Sequence, residues 1–241
     1  MVTLILTEKP SASKKIAEAL ADGNIKKLTQ EKVSHYEIYK DNKKIIVASA
    51  VGHLFGLKAK EKGWSYPNFD FEWVPAYEIS KKADFTKKYL DVLKELTKES
   101  DKFVNACDLD LEGETIFNLI LEKIIKQKDA KRMKFSTLTK DELIESYKNI
   151  DKHIMFPMVE AGLTRHELDA LWGFNLTRAL TLALKSNGQK VFAILSTGRV
   201  QGPTLEMLLE KELEIRKFKP TPFWQLELRV KIDGQDVVAN Y

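Results

Sequence analysis

The chain has 241 residues with 44% hydrophobic side chains, which is long enough for one large domain or two small ones with a real core. Its 39 Lys and Arg against 35 Asp and Glu leave a net charge of +4, which by itself does not argue for nucleic acid. The single cysteine, Cys107, excludes a disulfide framework. We identify neither a signal peptide nor an apolar run of about 20 residues, so we expect a cytoplasmic protein without a membrane span.

The chain opens with a pattern typical of a strand followed by a helix. Residues Val2 to Leu6 predict a buried strand, and residues 11 to 22 carry an apolar stripe at helical spacing with Ser11 as the predicted N-cap. Glu8 and Lys9 would therefore lie at the carboxyl end of a strand, where open α/β sheets bind ligands. The alternative is a solvated Glu-Lys pair in a turn.

Residues 34 to 51 predict a β-hairpin, because two apolar and β-branched runs flank an Asp-Asn turn. It ends in G-H-L, where His53 could bind a phosphate, orient an acid, or be a satisfied structural histidine. Residues 58 to 84 have no clear period and predict an extended loop packed by its aromatic side chains. A helix is predicted from Phe85 to Thr97, because the apolar residues of this segment recur at helical spacing.

The most informative stretch is F-V-N-A-C-D-L-D-L-E-G-E, residues 103 to 114, in which a strand becomes a helix through four carboxylates. Alternate residues of an extended segment point the same way, so Asp108, Asp110 and Glu112 could converge on one point. Clustered carboxylates repel each other unless a cation compensates, and oxygen ligands favour Mg²⁺, Ca²⁺ or Mn²⁺ over zinc. We therefore predict a hard divalent cation. Acids that merely complement a helix dipole would account for Glu112 and Glu114 but not for the aspartates.

The next stretch continues the alternation of strands and helices. Arg132 to Phe135 predicts a strand, and Thr139 with Glu142 predicts a capping box that opens a helix. This alternation through about residue 150 predicts a small α/β domain. Residues 158 to 185 then predict one long or broken helix.

Two groups of polar residues follow in the second half of the chain. Arg165, Asp169 and Trp172 share a helix face and could take a phosphate, a base edge and a stacked base, or form an ion pair beside a core tryptophan. Residues 196 to 203 open another helix. Arg199 there could bind a phosphate together with free backbone N–H groups, or be an exposed loop arginine.

The chain closes with a stiff linker, residues 218 to 223, and an alternating strand from Trp224 to Ile232 that meets a D-G hairpin turn. The return strand ends at Tyr241 after seven residues. Because a lone hairpin is marginally stable, we expect the chain to be a fragment of a longer protein.

Five motifs, taken in order, resemble the amino-terminal part of a type IA DNA topoisomerase. They are T-E-K-P-S at 7 to 11, S-A-V-G-H-L at 49 to 54, D-L-D-L-E-G-E at 108 to 114, L-T-R-H-E-L-D at 163 to 169 and S-T-G-R-V-Q-G-P-T-L at 196 to 205. The resemblance implies an α/β Toprim domain over residues 1–150, with a Rossmann-like parallel sheet of four strands between helices. It further implies a helical DNA-groove domain over residues 151–217, and a linker with the first hairpin of a β-rich arch over residues 218–241.

The resemblance also implies roles for single residues. Glu8 is similar to the family's Toprim glutamate, implicated in proton transfer and metal binding, and Lys9 to a lysine that stabilises the scissile phosphate. The acids that match the Mg²⁺-binding triad are Asp108, Asp110 and Glu112. The residues expected to contact single-stranded or underwound DNA are His53, Arg165, Asp169, Arg199 and Gln201.

The implied reaction is Mg²⁺-dependent cleavage of one DNA strand through a 5′-phosphotyrosine, followed by strand passage and religation. Lys9 and Arg199 would neutralise the phosphate, and Glu8 would protonate the leaving 3′-oxygen. None of the seven tyrosines lies in the family's G-Y-I-S/T-Y-P-R-like motif. We therefore expect the nucleophile to lie in a missing carboxyl-terminal part, and the chain alone to be inactive. Two alternatives remain: another Toprim nuclease or primase, and a single-stranded DNA-binding module without catalysis.

Overall fold

The structure, a computed structural model, describes residues 1–186 and 193–241. These form two compact units, Met1–Ser196 and Thr197–Tyr241, each of which is described by itself. The helices and strands of the first unit are β1 (Val2–Thr7), α1 (Pro10–Leu20), β2 (Lys26–Gln30), β3 (Val33–Lys40), β4 (Lys43–Ser49), β5 (Phe55–Ala59), β6 (Phe71–Pro75), α2 (Thr86–Lys98), β7 (Lys102–Asn105), α3 (Leu111–Ile120), β8 (Lys131–Arg132), α4 (Lys140–Lys148) and α5 (Phe156–Ser186). Those of the second unit are α6 (Gln201–Lys217), β9 (Glu227–Ile232) and β10 (Gln235–Asn240).

A six-stranded sheet in the order β2-β3-β4-β1-β7-β8 forms the centre of the first unit. The strands β4, β1, β7 and β8 run parallel, and β3 and β2 continue the sheet antiparallel at one edge. The predicted α/β fold class, with a parallel sheet between helices, is confirmed. Because β1 has a parallel neighbour on each side, its carboxyl end lies between those of β4 and β7.

Both faces of the sheet are buried, and the side chains of β1 divide between them as the pleat requires. Leu4 and Leu6 pack in one cluster with apolar residues of α2 and α3. Ile5 packs in the other, with residues of α1 and α4. The strands therefore carry their polar loops at the ends of the sheet rather than on its faces.

Several local predictions are confirmed and others are wrong. The predicted first helix and hairpin form, but α1 begins at Pro10 with Lys9 as its N-cap, so the prediction of a Ser11 cap is wrong. Proline at the first helical position loses no hydrogen bond, which explains the earlier start. Thr139 is the N-cap of α4 but makes no side-chain cap hydrogen bond, so the predicted capping box is wrong. The Glu142 carboxylate instead accepts hydrogen bonds from the backbone N–H groups of the preceding loop at Ser136 and Thr137.

Two further predictions on secondary structure need correction. The segment predicted as an extended loop, residues 58 to 84, contains β6 and the last two residues of β5, and these two strands pair as an antiparallel ribbon. The predicted strand from Arg132 to Phe135 is only the two-residue strand β8, although it does join the sheet beside β7. The long helix predicted over residues 158 to 185 is confirmed as the single helix α5.

The second unit is a helix followed by a hairpin. The β9-β10 turn has φ of 52° at Asp233 and 80° at Gly234, the left-handed values that a two-residue hairpin turn requires. The predicted domain boundaries at residues 150 and 217 stay a prediction, and residues 187–192 of the predicted helical domain lie outside the described residues. Within the described ranges, no helix is long and apolar enough to cross a membrane.

Candidate metal and DNA site

The polar residues predicted to be functional in the first half of the chain follow three neighbouring strands. Glu8 and Lys9 follow β1, His53 follows β4, and the acidic run follows β7. The Glu8 carbonyl accepts a hydrogen bond of 2.8 Å from the backbone N–H of Val51, which ties the first two loops together. Val51 and Gly52 have φ of 57° and 83°. For a β-branched valine this left-handed conformation is strained, which is common where a loop is shaped for a site.

Lys9 and Asp108 form an ion pair at this edge, with 2.6 Å between Nζ and Oδ2. A cavity of about 400 Å³ opens beside the pair. Its remaining walls come from α1 and from the loops that follow β7 and β8: Ser11, Ala12, Leu109, Phe135, Ser136 and Leu138. The pair therefore borders a space with one cationic side chain and several apolar ones.

Asp110 and Gly113 shape the start of α3. The Asp110 carboxylate accepts a hydrogen bond of 2.7 Å from the Gly113 backbone N–H and so caps the helix. A Cβ on Gly113 would lie 2.2 Å from the Asp108 carbonyl oxygen, so only glycine permits this close turn. The glycine of the acidic run is thus required by packing between the strand end and the helix.

Glu112 points from α3 toward two imidazoles and an arginine. Its Oε2 atom lies 2.8 Å from Nε2 of both His53 and His166, and its Oε1 atom lies 3.4 Å from Nη1 of Arg165. Burial opposes ionisation of Glu112, but the hydrogen bonds from the two histidines outweigh it and hold the pKa of the carboxyl below its usual value. Glu112 is therefore ionised and partly neutralised by its neighbours.

Glu8 lies within the electrostatic field of all three predicted metal ligands. Its pKa is raised, first by burial and then by the charge of Asp108, with smaller contributions from Asp110 and Glu112 that Lys9 partly offsets. The acids thus share one region and repel each other there. Oxygen donors with such an excess of negative charge fit a hard divalent cation.

The acids do not, however, turn toward one common point. Among the described residues, the single group of three acids, histidines or cysteines with ligand atoms within 4.8 Å of one another is His53, Glu112 and His166. Asp108 is turned to Lys9, and Asp110 to the start of α3. The sequence singled out Arg165 in the R-H-E-L-D motif and missed His166, which is the next residue.

A buried ion pair that the sequence did not indicate holds the acidic run in place. Arg132 on β8 and Glu114 on α3 have fully buried side chains, with 2.5 Å between Nε and Oε1. The same guanidinium donates to the backbone carbonyls of Asn105, Cys107 and Asp108, where the acidic run begins, and to that of its neighbour Met133. An arginine in a short strand and a glutamate among apolar helix residues are the signals that could have found it.

The helix α5 is packed closely against α3 through a glycine. A Cβ on Gly162 would lie 2.0 Å from Thr115 Oγ1 and 2.8 Å from the Leu111 carbonyl oxygen. This approach places Arg165 and His166, one turn further along α5, against Glu112. The face that sequence analysis selected therefore does begin at the acidic site.

Further along α5 lie the predicted groove residues, and the same helix is joined to the β5-β6 segment by Asn175. Arg165 Nε lies 4.0 Å from an Asp169 carboxylate oxygen, and Trp172 is half exposed. Asn175, which sequence analysis missed, bonds to both the backbone N–H and the carbonyl of Asn68. These contacts hold the loop between β5 and β6 beside the exposed face of α5.

Arg199 and Gln201 lie in the second unit. Gln201 is the first residue of α6, and Arg199 precedes it by two positions, as the sequence predicts. Their expected roles with DNA stay predictions.

Carboxylates at the ends of adjacent parallel strands, with a long helix packed on α3 beside them, define an α/β domain with polar side chains grouped at one edge of its sheet, followed by a helical segment. Two family models match the chain: "Toprim domain" over residues 3–138, and "DNA topoisomerase" over residues 153–240. The chain belongs to the Toprim family, and the order of the two matches confirms the predicted resemblance to type IA DNA topoisomerases.

Relatives and a solved structure agree with this assignment. DNA topoisomerase 1 of Pyrococcus horikoshii is 46% identical over 99% of this chain and 35% of its own length, and that of Methanocaldococcus jannaschii is 47% identical over 96% and 30%. The full-length topoisomerase I of Thermotoga maritima has the same fold, with a TM-score of 0.61 at 23% identity, over 98% of this chain and 34% of its own. The chain thus spans about a third of the length of these relatives.

Proposed function

We propose that this chain supplies the metal-binding and part of the DNA-binding surface of a type IA DNA topoisomerase, which cleaves one DNA strand, passes another through the gap and reseals the break. The observation that carries the proposal is that Glu8, Lys9 and Asp108 lie at adjacent strand ends, where Lys9 contacts Asp108. Burial and the negative charges of Asp108, Asp110 and Glu112 raise the pKa of Glu8 there. The cytoplasmic location expected from the sequence stays a prediction, and a DNA substrate is compatible with it.

In this proposal Mg²⁺ is held by Asp108, Asp110 and Glu112, with Glu8 beside them. The donor set supports this choice, because it consists of carboxylate oxygens, which are the ligands that Mg²⁺ prefers. Burial first, and then the charge of Asp108, raises the pKa of Glu8 beside them. When bound, the ion would neutralise charge on the DNA backbone and hold the 3′ end for religation. Glu112 would have to share its carboxylate between the ion and its histidine neighbours.

The side chains of the chain itself would act on the scissile phosphodiester as follows. The Lys9 ammonium, more than half exposed beside the cavity, would neutralise charge on the phosphate. Glu8, whose pKa is raised by burial and by Asp108, retains a proton to higher pH than an ordinary glutamate and could give it to the leaving 3′-oxygen. Arg199 and Gln201, at the start of α6, are proposed to contact DNA as well.

The exposed face of α5 would bind the strand next to the break. Arg165 lies between the carboxylates of Glu112 and Asp169, and these two ion pairs orient its guanidinium. The oriented guanidinium would contact a phosphate. Trp172 offers a half-exposed ring on which a base could stack. His53 would approach the same phosphate from the loop after β4.

The nucleophile is proposed to come from outside this chain, because none of its tyrosines has the family's motif around it. The test uses a fluorescent single-stranded oligonucleotide with Mg²⁺, followed by denaturing electrophoresis and by anisotropy. We expect salt-dependent binding without a covalent adduct. A protein-DNA adduct would contradict the proposal, and Mg²⁺-dependent nicking with free ends would favour the nuclease alternative.

Variants separate the DNA-binding face from general charge effects. Arg165→Ala is expected to weaken oligonucleotide binding at least tenfold, since it removes a phosphate contact beside the site. Lys98→Ala removes another exposed cation, one that pairs with Glu95 on α2, and should leave the affinity within about twofold. Equal losses in both variants would indicate nonspecific attraction. Binding unchanged by Asp108→Asn together with Asp110→Asn, with no role for Mg²⁺, would favour the binding-module alternative.

A further inference from the structure

Three side chains from three separate elements turn their ligand atoms toward one another at the edge of the acidic site. His53 comes from the loop after β4, Glu112 from the first turn of α3, and His166 from α5. Both imidazole Nε2 atoms lie 2.8 Å from the same Glu112 oxygen, and all three ligand atoms lie within 4.8 Å of one another. The two imidazole rings meet edge to face, with 4.8 Å between centroids.

We propose that His53, Glu112 and His166 form a binding site for a borderline transition-metal cation of the Zn²⁺ or Co²⁺ type. Two imidazole nitrogens and one carboxylate oxygen are a donor set that suits such ions and leaves a fourth position open, whereas Mg²⁺ takes oxygen ligands. The site therefore differs in chemistry from the carboxylate set proposed for Mg²⁺. It stands on these side chains alone and does not depend on the DNA reaction.

The geometry requires only small movements to accept an ion. With metal-ligand bonds of about 2.0–2.1 Å, neighbouring ligand atoms of a tetrahedral site are about 3.3 Å apart. Each observed 2.8 Å contact would lengthen by about 0.5 Å, and the two nitrogens, at most 4.8 Å apart, would approach each other. All three side chains are about one-third exposed, so an ion can reach them from solvent.

The orientation of His53 favours the same atom as ligand. Its Nδ1 atom is buried and has no hydrogen-bond partner within the described part of the chain, whereas Nε2 faces Glu112. Arg165 approaches the other carboxylate oxygen, Oε1, at 3.4 Å and leaves Oε2 to the histidines.

One consequence rests on the proposed function. Glu112 belongs to both ligand sets, so an ion bound by the histidines would withdraw it from Mg²⁺. A transition metal would then compete with Mg²⁺ for Glu112 and would not occupy the Mg²⁺ site itself.

The test is a titration of the chain with Co²⁺ alone, followed by the visible absorption that tetrahedral coordination gives. We expect one bound Co²⁺ per chain, displaced by Zn²⁺, and affinity reduced at least tenfold in His53→Gln and in His166→Gln. His153→Gln is the matched control, because His153 also pairs with a single carboxylate, Asp129, elsewhere on the surface. Circular dichroism verifies that each variant is folded.

Absence of tetrahedral absorption, or equal affinity in the wild type and in whichever of the two variants folds, would overturn the inference. A loss of the same size in His153→Gln would do so as well. None of these results would bear on Mg²⁺ binding by the aspartates, which is measured separately, so the inference and the proposed function can fail independently.

Discussion

The buried pair of Arg132 and Glu114 gives the sharpest stability prediction. Replacing Arg132 with Met removes the cation and leaves the Glu114 carboxylate, 0% exposed, with Asn105 as its remaining hydrogen-bond donor. Removing one partner of a buried ion pair typically costs about 3–5 kcal/mol, because a charge is left uncompensated. Since a domain is stable by only about 5–15 kcal/mol, Arg132→Met should lose a large part of its free energy of unfolding.

The measurement is urea unfolding at neutral pH, with the double variant Arg132→Met plus Glu114→Gln as a second perturbation. The double variant should lose less than the sum of the single changes, because no unpaired charge remains buried. Lys134→Met is the matched control, since Lys134 pairs with Asp151 at the surface and should change stability by less than about 1 kcal/mol. A loss of less than about 1 kcal/mol in Arg132→Met, or strict additivity in the double variant, would show that the buried pair does not stabilise the fold in this way.

Three other outcomes follow from the site. Gly162→Val should lower the free energy of unfolding by about 1–3 kcal/mol and weaken oligonucleotide binding, because the new Cβ atom would overlap Thr115. Gly23→Ala is the control and should do neither, because a Cβ atom there has no neighbouring atom within 4 Å. Glu8→Gln should raise the urea midpoint at pH 7, because burial and Asp108 raise the pKa of Glu8 and make the ionised form unfavourable. This gain should vanish below the ordinary pKa of 4.5, where the wild type is also neutral; a gain that persists in acid would contradict it. Lys9→Met should change stability by less than about 1 kcal/mol because the pair is exposed, and a larger loss by urea unfolding would assign Lys9 a structural role.

The sequence predicted the framework of the site because local patterns determine it. The apolar runs of β1 and β7 and the stripe of α1 are readable without tertiary information, and they place Glu8 and Asp108 at adjacent strand ends. The D-x-D-x-E spacing predicted that the acids converge on one point, whereas Asp108 turns to Lys9 and Asp110 to the start of α3. It did not indicate which partner each acid would take.

The parts that the sequence did not reveal depend on contacts between distant segments. The β5-β6 pair has no alternating pattern of its own, and its loop is held by Asn175 across more than 100 residues of chain. Glu112 meets His53 and His166 only because α5 packs on α3, which no local spacing encodes. The capping-box pattern at Thr139 failed because a loop N–H competed successfully for the glutamate.

We expect the acidic run to hold a divalent cation, and calorimetric titration of the chain with Mg²⁺, with and without a single-stranded oligonucleotide, measures this binding. Asp108→Asn plus Asp110→Asn removes two charges while an asparagine can still cap α3, so the fold should be preserved. Asp70→Asn plus Asp91→Asn removes two exposed charges elsewhere. We predict Mg²⁺ binding by the wild type and by this control and none by the first variant; Mg²⁺ binding that is unchanged without Asp108 and Asp110 would contradict the account.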